Sequence, residues 1–298
     1  MTVGPGNDRP ANRDALKGSE MAVSPAALSR ADVLRLAPFP IEVVDSVESI
    51  RDHFVRELLG RVRMANQQRR PLRICLPVGP FDYARLAAAS NEDGLDWRAV
   101  TVYAMDEFCL PDGRAVPPEH AWSLRRHLDE TLFNRLSPSL TVPPEQRLSP
   151  DPQQIDRYAG SLQETGLDVV YCGFGVDGHV GMNCPEPALT AEEFRALPSR
   201  RVRLSPETIT QIAMGGAGGD LEAVPPVGVT IGMREILAAG ALRLYLMRTW
   251  QPAVMRRALF GPVTPRCPAS FVQTHPDVRA TVVSYVADPP WHETTQRP

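Results

Sequence analysis

The sequence predicts an α/β fold, a mostly parallel sheet with helices covering both faces. Two observations carry that expectation. Strand-length apolar runs alternate with segments of helical periodicity along the body of the 298-residue chain, the pattern of a sheet with crossover helices. The stretch 167–183, LDVVYCGFGVDGHVGMN, runs an apolar strand into a turn hinged on Gly173, Gly175 and Gly178. That turn delivers Asp177 and His179 two residues apart, at the carboxyl edge of a sheet, where open α/β proteins bind ligands.

The elements follow in order. Residues 1–30 carry Pro, Gly, Asn and Asp without apolar periodicity and read as a disordered or loosely attached arm. Ser46 caps a helix whose apolar face is Ile50, Phe54, Leu58 and Val62, at helical spacing. A strand at 72–78, a short helix at 83–89 and a strand at 99–105 follow, the last ending in Asp106 and Glu107. Helices are expected at 121–136 and 155–165, then the strand at 167. An Arg-rich strand at 201–204 precedes a helix opened by Ser205, Pro206 and Glu207. Strands at 227–231, 242–247 and 269–274 come next, with helices at 233–238 and 252–260 between them. A strand at 281–286 closes the body, and 288–298 reads as a tail. No boundary interrupts 31–287, so a single domain is expected.

Composition excludes several classes. A net charge of −3 without a basic cluster argues against nucleic acid as a partner. Lys17, in the N-terminal arm, is the only lysine. Schiff-base catalysis, pyridoxal phosphate chemistry and a Walker-type phosphate site each need one in the body. Cys75, Cys109, Cys172, Cys184 and Cys267 are odd in number, without a CxxC pair or zinc spacing. They read as reduced, buried thiols of a cytoplasmic protein. A polar start and the lack of a spanning apolar run speak against a membrane partner.

A lone Asp after a strand is more often a turn or helix-cap acid than a catalyst. Here two strands end in carboxylates, and one adds a histidine. Asp106, Asp177 and His179 brought to one sheet edge would make an acid–base site.

The motifs AMDEF, HAWSLRRHL, GFGVDGHVGMN, VGVTIGMREIL and GPVTPRCPASFVQTHP occur in that order. As a set they resemble the glucosamine-6-phosphate deaminase/isomerase family, which shares its fold with the 6-phosphogluconolactonases, over about 44–286. The resemblance implies a Rossmann-like domain and a small-molecule sugar substrate. It implies ring opening, then aldose–ketose isomerisation with loss of ammonia in the deaminases. Asp106 would match the base that moves a proton between C1 and C2, His179 the ring-opening group, and Asp177 its supporting carboxylate. Gly79, Glu107, Gly175, Gly178, Asn183 and Arg201 are the expected substrate-binding positions. No cofactor and no metal is implied, and a homo-oligomer is expected because the family often forms one.

The departures bear on substrate. Where the deaminases follow the turn's Asn with Glu-Pro, this chain has Cys184-Pro185, and a thiol with an ordinary pKa of about 8.5 does not replace that charge. Glu186 would serve only if the loop were rerouted. Cys184, five residues after His179, is a candidate nucleophile. The family's phosphate loop of Thr, Gly and Ser is replaced by Val78-Gly79-Pro80-Phe81-Asp82-Tyr83, and its phosphate Arg and Lys align with Met214 and Gln251. A desolvated phosphate needs cationic or amide partners. The expected substrate is therefore an unphosphorylated or differently substituted amino sugar; the counter-reading is that Arg200, Arg201 or Arg203 supplies a displaced anion site. A sugar lactonase and a non-catalytic sugar-binding regulator are the alternatives.

Overall fold

The structure, a computed structural model, describes residues 24–290. Its strands are β1 (Ile41–Val44), β2 (Leu72–Leu76), β3 (Val100–Ala104), β4 (Asp106–Phe108), β5 (Arg147–Leu148), β6 (Val169–Cys172), β7 (Arg200–Arg203), β8 (Val227–Thr230), β9 (Leu242–Leu246) and β10 (Val278–Val283). The helices are α1 (Arg30–Leu36), α2 (Val47–Gln68), α3 (Tyr83–Glu92), α4 (Leu124–Leu128), α5 (Ile155–Thr165), α6 (Ala191–Arg195), α7 (Pro206–Gly216), α8 (Met233–Leu237), α9 (Gln251–Phe260) and α10 (Ser284–Ala287).

Seven strands form one sheet in the order β1-β10-β9-β6-β2-β3-β5, every pair parallel. Apolar residues fill both of its faces. Phe54, Leu58 and Val62 of α2 pack on one side with Leu86 of α3, and Leu162 of α5, Ile236 of α8 and Met255 of α9 on the other. Both faces being buried explains why these strands read as continuous apolar runs. The expected α/β class is what the chain adopts.

A second sheet, β4-β8-β7, is antiparallel and was not foreseen. The chain enters it at Met105, whose N–H donates to Leu76 of the large sheet and whose carbonyl accepts from Ile231 N–H beside the small one. Asp106 does not end β3; it is the first residue of β4, paired with Thr230.

Three other expectations change. The helix expected at 121–136 starts only at Leu124, because Ser123 caps it by accepting from Arg126 N–H. It then continues past Leu128 as a π turn, Asp129–Phe133. The strand expected at 269–274 is a 3-10 helix, Pro268–Thr274. Its apolar run is buried from all sides, a case in which periodicity does not separate strand from helix. The last strand is shifted to 278–283, and α10 follows it.

The arm expected through residue 30 falls outside the described residues up to 23, but from Ser24 the chain is built into the body. Leu28 is buried, and its carbonyl accepts from Arg256 at 3.0 Å. Arg30 pairs with Asp288 at 2.8 Å, at the start of the expected tail. The rest of that tail lies outside the described residues from 291 on. No helix among the described residues is long and apolar enough to cross a membrane.

Candidate active site

A cleft of about 1250 Å³ lies over the carboxyl ends of β9, β6, β2 and β3. Asp106, Gly79, Gly175 and His179 all line it; of the three residues expected to make an acid–base site, Asp106 and His179 face the cleft and Asp177 stands behind His179.

His179 is held from behind. Its Nδ1 lies 2.7 Å from Asp177 Oδ1 and 2.9 Å from Thr208 Oγ1. Asp177 Oδ2 in turn accepts from Ser205 at 2.7 Å and from Thr208 at 3.0 Å. Burial would raise the Asp177 carboxyl, but the hydrogen bonds and charge of His179 and the Ser205 hydroxyl outweigh it and hold it well below the carboxylate range. An ionised carboxylate only accepts, so Nδ1 carries the hydrogen and Nε2 is left with a lone pair. The imidazole lies flat on Gly175, where a Cβ would come within 1.9 Å of the ring. Only glycine permits that approach. Gly178, at φ +95°, supports the turn from below, packed on Cys267 and accepting from Ala269 N–H at 2.7 Å. It is structural rather than part of the cleft lining.

Asp106 is the opposite case. It is buried at 9 % exposure, and among the described residues nothing hydrogen-bonds its side chain. Burial first, and the neighbouring Glu107 second, push its carboxyl up to about 7. A carboxylate desolvated in this way titrates near neutrality, where a general base works best.

Glu107 does not reach the cleft. Its carboxylate accepts from the N–H groups of Phe108, Leu124 and Arg125, each at 2.9 Å, and so seats the first turn of α4. Asn183 is also a brace: its amide donates to the carbonyls of Val180 and Ile231, and its oxygen accepts from Arg200. Arg201 is exposed on β7 and stands away from the cleft lining. Cys184 is buried, with Sγ 3.5 Å from Thr208 Oγ1. Burial pushes its thiol up, which removes the thiolate a nucleophile needs. Glu186 is not rerouted toward His179; it pairs with Arg200 at 2.7 Å.

Asp177, His179 and Cys184 present ligand atoms within 4.8 Å of one another, a grouping that Cys and His spacing alone did not reveal. In the structure Ser205 and Thr208 hydrogen-bond into that grouping. Thr208 and Ser205 themselves were missed as site residues. The Ser-Pro-Glu helix start was the signal, because a capping hydroxyl at α7 stands opposite the turn.

The phosphate-loop reading gains a physical cause. Asp82 caps α3 by accepting from Arg85 N–H at 3.0 Å, so the helix N-terminus that would favour an added anion already holds one. Gln251 is a strut: its oxygen accepts from Arg248 N–H at 2.8 Å and its amide donates to Phe174 O at 2.9 Å. Met214 is 74 % exposed at the cleft. None of Arg200, Arg201 and Arg203 lines it, but Arg248 does, exposed and without an acidic partner among the described residues.

Comparison with known proteins fits this geometry. The model of the family described as glucosamine-6-phosphate isomerases/6-phosphogluconolactonase matches residues 45–210. The chain belongs to this family. It is 25 % identical over 202 residues to a glucosamine-6-phosphate deaminase of Exiguobacterium sibiricum, covering 68 % of this chain and 73 % of that one. A deaminase of Streptococcus pneumoniae is 28 % identical over 199 residues, with 67 % and 78 % covered. Among solved structures, a monomeric glucosamine-6-phosphate deaminase superposes with a TM-score of 0.71 at 18 % identity, covering 83 % of this chain and 98 % of that one. A 6-phosphogluconolactonase from Trypanosoma cruzi gives 0.63 at 16 %, with 83 % and 95 % covered. The likeness to solved structures concerns the fold. The family match stops at residue 210, before Met214, Arg248 and Gln251.

Proposed function

We propose that the chain is an amino-sugar aldose–ketose isomerase/deaminase that works on a ring-opened, unphosphorylated sugar. The observation that carries the reading is the pair facing one cleft: Asp106, unpartnered and raised to about 7, and His179, braced on Nδ1 so that Nε2 is free.

In this reading the sugar enters as the closed ring. His179 Nε2 takes the proton of the C1 hydroxyl and returns it to the ring oxygen as the C1–O bond to that oxygen breaks. Asp106 then removes the C2 proton and delivers it to C1 while a proton passes from the amine nitrogen to the C1 oxygen, converting the amino aldehyde into a 2-imino alcohol. Addition of water at C2 and departure of the nitrogen leave a ketose and ammonia, so atoms balance with one water consumed. Asp177 keeps its charge and stabilises the imidazolium. The Asp82-capped loop and the engaged Gln251 support a substrate without phosphate.

A second reading has an observation of its own. Arg248 would pair with an anionic substituent, and the substrate would then be a sugar phosphate or sugar acid.

Incubation in deuterated water with glucosamine and with glucosamine 6-phosphate, followed by NMR for deuterium at C2 and for ammonia, tests both. Exchange with the free sugar alone is the expected result. Exchange with the phosphate alone would favour Arg248, and no exchange with either would leave the lactonase or a binding protein.

A further inference from the structure

The substrate reading leaves the far end of the cleft without a recognised partner for a sugar hydroxyl. Of the polar side chains lining the cleft, Glu207, Arg248 and Thr249 carry no hydrogen bond among the described residues, and others are engaged. Thr210 donates to Pro206 O, Gln211 accepts from Val176 N–H, and Gln251 uses both ends of its amide. His127 is different. It lines the cleft, it is half-buried, and among the described residues neither of its ring nitrogens has a hydrogen-bond partner.

Its position is built rather than incidental. The Glu107 carboxylate holds the first N–H groups of α4, so the residue next to Asp106 also fixes the helix that carries His127. At the other side its ring meets Tyr83 edge to face, centroids 6.4 Å apart, and Tyr83 donates to Pro77 O at the end of β2. His127 therefore stands against the segment 78–83, the loop that has lost its hydroxyls. Immediately after it the helix changes period: Asn134 N–H donates to Asp129 O in the π turn, and Thr131 Oγ1 donates to His127 O at 2.5 Å. Such π turns inside helices are frequent at functional sites.

Resting on the isomerase/deaminase reading, we propose that His127 is a specificity residue, hydrogen-bonding a hydroxyl of the unphosphorylated sugar at the 78–83 end of the cleft. A neutral imidazole offers one donor and one acceptor, the complement of an alcohol and a poor match for a phosphate dianion. Burial, opposed by Glu130 on the same helix segment, lowers His127 from its ordinary value and keeps the neutral form at pH 7.

The test uses the full chain and two variants, His127→Phe, which keeps an aromatic edge on Tyr83, and His127→Gln, which keeps a donor and an acceptor. With glucosamine as the probe, His127→Phe should raise KM for C2 exchange about tenfold, one lost hydrogen bond to substrate. It should leave kcat within about threefold, and His127→Gln should restore most of the KM. An unchanged KM, or a fall in kcat at constant KM, overturns the assignment. Ring carbon–proton NMR signals of the wild type supply a readout independent of turnover. Glucosamine should move the signals of both His127 and His179. Movement of His179 alone overturns the His127 role and leaves the amino-sugar reading standing; movement of neither overturns both.

Discussion

The two sides of the cleft are built on opposite plans. On the β6 side, Asp177, Ser205 and Thr208 form a closed network behind His179 that holds Nδ1 and leaves Nε2 without a partner among the described residues. On the β2 side, 78–83 satisfies itself: Phe81 N–H donates to Gly79 O, Asp82 caps α3, and Phe81 is buried against Phe54 with centroids 4.6 Å apart. Such a loop has little left to offer an anion. The contrast teaches that the two walls are held separately: among the described residues no hydrogen bond joins 78–83 to the Asp177–His179 network.

Asp106→Asn should break the reactive side most severely, lowering C2 exchange by roughly 10²–10⁴-fold, read by deuterium uptake. The same variant should be the more stable protein at pH 8. A carboxyl raised in the fold favours the folded state while protonated and loses that advantage as pH climbs from the unfolded value of about 4 through 7. Removing the charge should recover roughly 2–4 kcal/mol at pH 8 and nearly nothing at pH 4, measured by denaturant titration at both pH values.

Asp177→Asn keeps the shape and loses the charge behind His179. A drop of about 10²-fold in turnover is expected, and an unchanged rate would show that Thr208 alone orients the ring. For the wild type, the exchange rate should rise with pH through about 7 as Asp106 ionises. A profile flat from pH 5 to 8 would remove Asp106 as the base.

Asp82→Ser sharpens the comparison from the recognition side. Serine still caps α3, so stability should change by less than about 1 kcal/mol. Clearing the anion from that helix end should improve binding of glucosamine 6-phosphate relative to glucosamine by about three- to fivefold, measured by calorimetry. The smallest effect is expected from Cys184→Ser. Its thiol is buried and raised, and turnover should stay within about threefold of wild type.

Much of this arrangement was legible in the chain because it is local. The turn from Gly173 to His179 carries its own glycine requirements and sets its acid and imidazole within two residues. The alternation of apolar strands and helices gave the sheet for the same reason. What escaped depends on partners distant in sequence. Asp106 as the first residue of the second sheet rests on its pairing with Thr230. Glu107 and Asn183 look like ligands until their bonds to α4 and to Ile231 are seen. His127 was hidden inside a motif that reads as a helix, and Arg248 lies after a strand, three residues before the position that aligns with the phosphate lysine. The 3-10 segment at 268–274 was mistaken for a strand because burial on all sides erases periodicity.

The order of the large sheet has a consequence for how the protein is made. β1 pairs with β10, Ile41 beside Ala280 and Val44 beside Val283, so its only neighbour among the described strands is synthesised long after it. Pairings of such sequence separation form late and slowly. While the ribosome is still at work, β2, β3 and β6 can assemble, but β6 is left as an open edge and β1 has no partner. An open edge invites strands from other chains. Yield on overexpression should accordingly be governed by how quickly β9 and β10 arrive to close it.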